Sequence, residues 1–287
     1  MPQVDPQLTA PVLKAASHYK LAIPRTPIGG RVGEVMGTGV GSSLEFQDFR
    51  EYVPGDDLRH VDWNAYARSD TLTIRLYREE VRPMVDIIVD VSRSMTTGDG
   101  AKVERTRQLA ALLLHLAHRA DADPLLWCGD AARRFASVEE FHLPPADFAD
   151  AAPLTHAVEQ TASRFRLRSL RYVISDFLFE HDPDNLVRLL AQGASALALI
   201  QILTPEEADP KLEGGHRLVD VESAYEINLM IGREEIDAYL ARLKCLRNAL
   251  SRAGRRARGA FIAGTADQSV DAWCKEHLCP AGVIEAG

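Results

Sequence analysis

Cysteine is scarce: 287 residues hold only Cys128, Cys245, Cys274 and Cys279, without the paired spacing of a zinc ribbon. Two of them share the segment WCKEHLC with His277, but a four-ligand zinc site also wants a second ligand pair. The thiols therefore read as buried or incidental, in a reduced, cytoplasmic setting. A basic surface is missing too. The 33 basic residues stand against 41 acidic ones, a net charge of -8, which argues against bulk nucleic-acid affinity because phosphate binding needs a basic face. The local run Arg252, Arg255, Arg256 and Arg258 suits a helix C-terminus, where positive charge is favoured. Apolar runs such as LAALLLHLAH and ALALIQIL fall far short of the roughly 20 residues a membrane span needs. The opening MPQVDPQLTA lacks the charged-then-apolar layout of a signal peptide. Neither a G-x-x-x-x-G-K-[ST] phosphate loop nor a G-x-S-x-G nucleophile elbow occurs.

What is present is hydrophobic mass in regular alternation. At 46% hydrophobic, the chain can bury a sizeable core. PVLKAASHYKLA near the start reads as helix, and RTPIGGRVGEVMGTGVGSS as an irregular glycine-rich loop whose spacing does not fit dinucleotide binding. Pro54-Gly55 marks a tight turn, and TLTIRLY alternates as a half-buried strand. From Pro83 onward strands and helices alternate. MVDIIVD, DPLLWCGD, SLRYVISDF, ALALIQIL and ARGAFIAG read as strands, with ARRFASV as an edge strand. AKVERTRQLAALLLHLAHRA, THAVEQTASRF, DPDNLVRLLAQ and SVDAWCKEHL read as helices. HRLVDVES and YEINLMI suggest a hairpin, and REEIDAYLARLKCLRNALSRAG a helix closed by Gly254. The fold class is α/β, a mostly parallel sheet with helices on both faces. Residues 1–82 are expected to form an N-terminal, β-containing extension and 83–287 the main domain.

In an open parallel sheet, ligands sit beyond the carboxyl ends of the strands where strand order reverses. MVDIIVD ends at Asp90, and Ser92 and Ser94 follow at alternate positions, so three side chains can turn inward from one loop. RYVIS ends likewise at Asp176, and Thr155 stands just before a helix. If the two strands are neighbours, Asp90, Ser92, Ser94, Thr155 and Asp176 form an all-oxygen set suited to a hard cation. Mg2+ is first, with Mn2+ or Ca2+ as the other choices. The hydroxyls add no formal charge, so the ion keeps an open position for a carboxylate from another protein. Set against this is a structural reading, in which Ser92 and Ser94 cap the helix near Lys102 and Asp90 accepts backbone N–H bonds. Asp86, in mid-strand, is expected at an edge or paired structurally.

DVSRSM, LTHAV and ISDF resemble the three loops of the metal-ion-dependent adhesion site of von Willebrand factor type A domains. Upstream, GSSLEFQDFREYVPGDDLRHVDWNAYARSDTLTIRLYREE resembles the signature of the bacterial family called domain of unknown function 58, which places it just before a von Willebrand-like domain. The resemblance covers roughly Gly37 to Ala266. It implies a von Willebrand factor A-like, Rossmann-like fold and carries Asp90, Ser92, Ser94, Thr155 and Asp176 over as metal-site residues. It also implies pairing with a MoxR-type AAA+ ATPase in chaperone-like maturation of other proteins. Two departures stand out: DAAPLT lacks the glycines often seen before the threonine, and Phe177 follows Asp176 where glycine is frequent. In the signature segment, Glu45, Asp48, Glu51, Asp56, Asp57 and Asp62 alternate with Arg50, Arg59 and Arg68. This reads as ion pairing rather than acid–base chemistry, with Trp63 and Phe46 as apolar anchors.

The expected function is a metal-dependent protein-binding module, not an enzyme, with an ATPase partner and a carboxylate-bearing client. The alternatives are a metal-assisted hydrolase or a scaffold with a non-functional metal site. Against the hydrolase, the place two residues after Asp90 holds Ser92, and serine cannot serve as acid–base partner near neutral pH.

Overall fold

The computed structural model describes residues 6–23, 44–79, 82–148, 153–211, 214–219 and 226–287. The glycine-rich loop expected at 25–43 and most of the DAAP stretch before Leu154 lie outside the described residues. The chain opens with helix α1 (Pro6–Ala16) and strand β1 (Tyr19–Leu21). It divides into two compact units, one of Pro24–Arg82 and one that joins the residues up to Ile23 with those from Pro83 onward.

In the smaller unit, β2 (Leu44–Glu51) pairs antiparallel with β3 (Thr73–Glu79), with a register shift between Phe46 and Asp48. Helix α2 (Trp63–Ser69) lies between them in sequence. Arg50 grips both oxygens of Asp56 at 2.7 and 2.6 Å, and Asp56 also accepts the Val53 amide, so the carboxylate closes the Pro54-Gly55 turn. Asp62 caps α2 by accepting from the Asn64 and Ala65 amides. These charges thus serve turns and caps. Trp63 is no anchor: it is 59% exposed and meets Tyr66 edge to face. Phe46, the other expected anchor, has its side chain outside the described set.

The larger unit continues through β4 (Met84–Val89), α3 (Ala101–Arg119), β5 (Asp123–Cys128), β6 (Ala131–Arg133), α4 (Leu154–Thr161), β7 (Leu170–Ser175), α5 (Pro183–Ala191), β8 (Ala196–Leu203) and α6 (Pro205–Ala208). After these come β9 (Gly214–Val219), β10 (Glu226–Ile231), α7 (Arg233–Arg256), β11 (Ala260–Thr265), α8 (Val270–Ala272) and β12 (Ile284–Ala286). Six strands form one sheet in the order β11-β8-β7-β4-β5-β6, parallel except for the β6 edge. The largely apolar character of β4, β7 and β8, interrupted by Asp86 and Arg171, goes with burial on both faces. Ile87 and Val89 join the leucines of α3 on one face, while Ile88 and Val173 meet Leu186 and Leu190 of α5 and Leu250 of α7 on the other. The hairpin of β9 and β10 forms as its residues suggest.

Two expectations need correction. Residues 6–23 do not belong to a 1–82 extension: Leu8 and Val12 are buried in the same core as the α3 leucines, and β1 pairs antiparallel with β12. Gly254 does not end α7, which runs on to Arg256 because Ala253 and Gly254 are buried. The stop comes from Arg258, held at φ 56 in the left-handed region.

Asp86 is paired structurally, and in a central strand. Its carboxylate, 0% exposed, accepts from Arg166 Nε at 2.7 Å and lies 3.6 Å from the guanidinium of Arg171, also 0% exposed. Removing one partner of such a pair leaves an uncompensated buried charge. Asp86→Ala is expected to destabilise the domain by about 3–5 kcal/mol, read as a lower urea midpoint at unchanged slope. A loss below about 1 kcal/mol would make the pair incidental.

Candidate functional site

From β4 the chain steps to β5 on one side, then crosses to β7 on the other, so the strand order reverses between β4 and β7. A crevice at the carboxyl ends of these two strands is what this topology creates. Val89 pairs with Ile174, and the Asp90 amide donates to the Ile174 carbonyl at 2.9 Å. Asp90 and Asp176 therefore end adjacent parallel strands. Both are buried, as is Ser92.

Asp90 is held from both sides. Its Oδ1 accepts the Ser92 amide at 3.0 Å, and its Oδ2 accepts the Ser175 hydroxyl at 2.5 Å. The Ser92 and Ser94 hydroxyls lie 3.0 Å apart, with Ser94 half-buried at the solvent edge. Neither serine caps α3, whose N-cap residue is Gly100, so the capping alternative does not apply. Asp90 does accept a backbone N–H, as that alternative supposed. Burial, and then the charge of Asp176, push the Asp90 carboxyl up from 3.8 to about 6. A neighbouring like charge disfavours ionisation of a desolvated carboxyl.

Asp176 accepts the Leu178 amide on Oδ1 at 3.0 Å and the Lys102 ammonium on Oδ2 at 2.9 Å. Phe177, next in the chain, has φ 54 and is fully buried. Glycine would adopt that conformation freely; here, burial of a phenyl ring offsets a backbone strain of about 1–2 kcal/mol.

Three residues of the site were not anticipated. Lys102, in the first turn of α3, reaches Asp176 and also Glu207 Oε1 and Oε2 at 2.7 and 3.0 Å. Glu207 closes the capping box of α6 with Thr204 and accepts from Thr97 Oγ1 at 2.8 Å. The T-P-E-E pattern signals that box, which conceals the second role of its glutamate. Ser175 lies inside the ISDF motif, yet nothing in its type marks it as the partner of Asp90. The loop before α3 passes so near Thr204 that a Cβ on Gly98, at φ 77, would lie 2.3 Å from Thr204 Cγ2.

Thr155 is the remaining residue of the set. It lines a cleft of about 210 Å3 with Glu159, Glu180, His181 and Asp182. Among the described residues no hydrogen bond joins it to Asp90, Ser92, Ser94 or Asp176. Nor do any three His, Cys, Asp or Glu side chains among the described residues converge as a metal cluster. A cation at the strand tips would therefore depend on two carboxylates with hydroxyls. In WCKEHLC, burial pushes the Cys274 thiol up to about 12, and His277 Nε2 meets Gln268 Oε1 at 3.0 Å.

The raised Asp90 carboxyl binds its proton more tightly in the folded than in the unfolded state. The stability it contributes is fully present below about pH 3.8 and is lost as pH rises through about 6. With EDTA present, the wild type is expected to lose on the order of 1–3 kcal/mol relative to Asp90→Asn between about pH 4 and 7. Denaturation profiles that run parallel for the two proteins would contradict this.

Uncharacterized protein Mb1516 of Mycobacterium bovis and uncharacterized protein Rv1480 of Mycobacterium tuberculosis are each 26% identical over 234 residues, spanning 76% of this chain and 72% of theirs. Two solved structures are similar at a TM-score of 0.38. One is a conserved hypothetical protein BatB from Bacteroides thetaiotaomicron, 13% identical over 68% of this chain and 96% of its own. The other is an aerotolerance-related membrane protein from Bacteroides fragilis, 16% identical over 66% and 94%. In this chain, no described helix is long and apolar enough to cross a membrane. Residues 48–245, more than half of the sequence, match the family described as "Protein of unknown function DUF58", and the chain belongs to that family.

Proposed function

We propose that this protein is a metal-dependent protein-binding module with a von Willebrand factor A-like main domain. Its partner in this reading is a MoxR-type AAA+ ATPase, and its role is chaperone-like maturation of client proteins in the cytoplasm. The observation that carries the reading is the meeting of Asp90 and Asp176 on adjacent strand tips beside Ser92 and Ser94. These residues suit a divalent ion. The donors are all hard oxygens, and the carboxyl of Asp90 is raised first by burial and then by the charge of Asp176, both of which a bound cation would offset. Asp90, Asp176 and Glu207 against Lys102 leave two negative charges, which Mg2+ or Mn2+ would neutralise. Bound there, the ion would supply an electrophilic point for a client carboxylate. Binding rather than catalysis is favoured because the place for an acid–base partner holds Ser92.

One observation favours a second reading, a scaffold without a working metal site: the Lys102 ammonium already pairs with Asp176. Calorimetric titration with Mg2+ separates the two. Asp90→Ala is expected to abolish Mg2+ binding while circular dichroism stays unchanged, and to remove co-purification of the ATPase. Metal affinity equal to that of the wild type would refute the proposal.

A further inference from the structure

Lys102 is the only fully buried lysine; Lys14, Lys20, Lys211, Lys244 and Lys275 are all exposed. An ammonium leaves water only where strong partners compensate it. Here Asp176 Oδ2 and both oxygens of Glu207 do so, within 2.7 to 3.0 Å. Glu207 is itself fixed by the Thr204 amide at 2.8 Å and the Thr97 hydroxyl at 2.8 Å. Neither the ammonium nor its glutamate is therefore free to swing away. Oδ1 of Asp176 accepts the neutral Leu178 amide, whereas Oδ2 carries the Lys102 ammonium, so a cation drawing on Oδ2 at the strand tips meets a positive charge already bound there.

Resting on the cation reading above, we propose that Lys102 is a tethered internal cation that sets the divalent-ion affinity of the strand-tip site by competing for Asp176 Oδ2. Asp90, Ser92 and Ser94 supply the attraction, and Lys102 opposes it. The site then binds its ion weakly enough to exchange it. Lys102 is a positioning residue, acting on the ion through Asp176.

The test is Mn2+ binding to the full chain, followed by the electron paramagnetic resonance of free Mn2+. Lys102→Met is expected to tighten binding about 10- to 100-fold, because a like charge close to the ion is removed. That variant leaves Glu207 buried without its cation, so Lys102→Met/Glu207→Gln is measured alongside it. The double variant keeps the net charge of the site, and tighter binding there reports competition for the oxygen itself. Lys102→Arg, which retains the charge, is expected to return affinity to near the wild-type value, which a merely structural role would not do.

Wild-type binding that is unchanged or weakened in the folded variants would overturn the proposal while leaving the cation reading intact. Absence of Asp90-dependent binding in the wild type and in every variant would overturn both. Binding that appears only in the Lys102→Met variants, and is lost with Asp90→Ala, would support the proposal.

Discussion

Like charge crowded into a water-poor place is the constraint from which the rest of this site follows. Parallel pairing of β4 with β7 sets Asp90 and Asp176 at neighbouring strand tips, where neither carboxylate has bulk water around it. The surroundings are arranged to bear that charge. Ser175 and the Ser92 amide hold Asp90, the Leu178 amide and Lys102 hold Asp176, and Glu207 holds Lys102. Charge-assisted hydrogen bonds of this kind are strong when complete and costly when broken.

The same sheet contains a second buried charge system with the opposite character. Asp86 faces Arg166 and Arg171, and Arg171 donates to backbone carbonyls at Gln192 and Arg166. Asp86 meets two guanidiniums there, and Asp123, which shares Arg166, also pairs with Arg134, so the negative charge is matched and its role is to hold strands and loops together. At the tips of β4 and β7, one ammonium pairs with Asp176 and with Glu207 of α6, and Asp90 has no cation of its own among the described residues. Membership of the family does not distinguish these two clusters; the balance of charge does. It is also why the strand tips, rather than the Asp86 pair, carry the functional proposal.

Much of the architecture was legible in the residues. Strands such as β7 and β8 are short apolar runs ending at polar residues, and α3 is a long run of strong helix formers. Asp86 could be read as structural from its mid-strand place. Other residues misled because their local signal was overridden by packing. Gly254 looked like a helix stop, but its burial lets α7 continue; Trp63 looked like an anchor, but it faces solvent. Residues 6–23 looked like the start of an extension, yet their apolar side chains complete the core beside α3.

The sequence by itself determined the α/β alternation and placed an aspartate at the end of each of two strands, because side-chain periodicity and strand termination are local properties. Only the tertiary structure decided which strands lie side by side, that Ser175 supports Asp90, and that Lys102 and Glu207 join the site from α3 and α6. Thr155 illustrates the same division: its place before a helix is local, whereas the cleft it lines is set by how α4 packs near α5. The physical reason is that an ion pair depends on separation in space. The 74 positions between Lys102 and Asp176, and the 105 between Lys102 and Glu207, are closed by the order of the sheet.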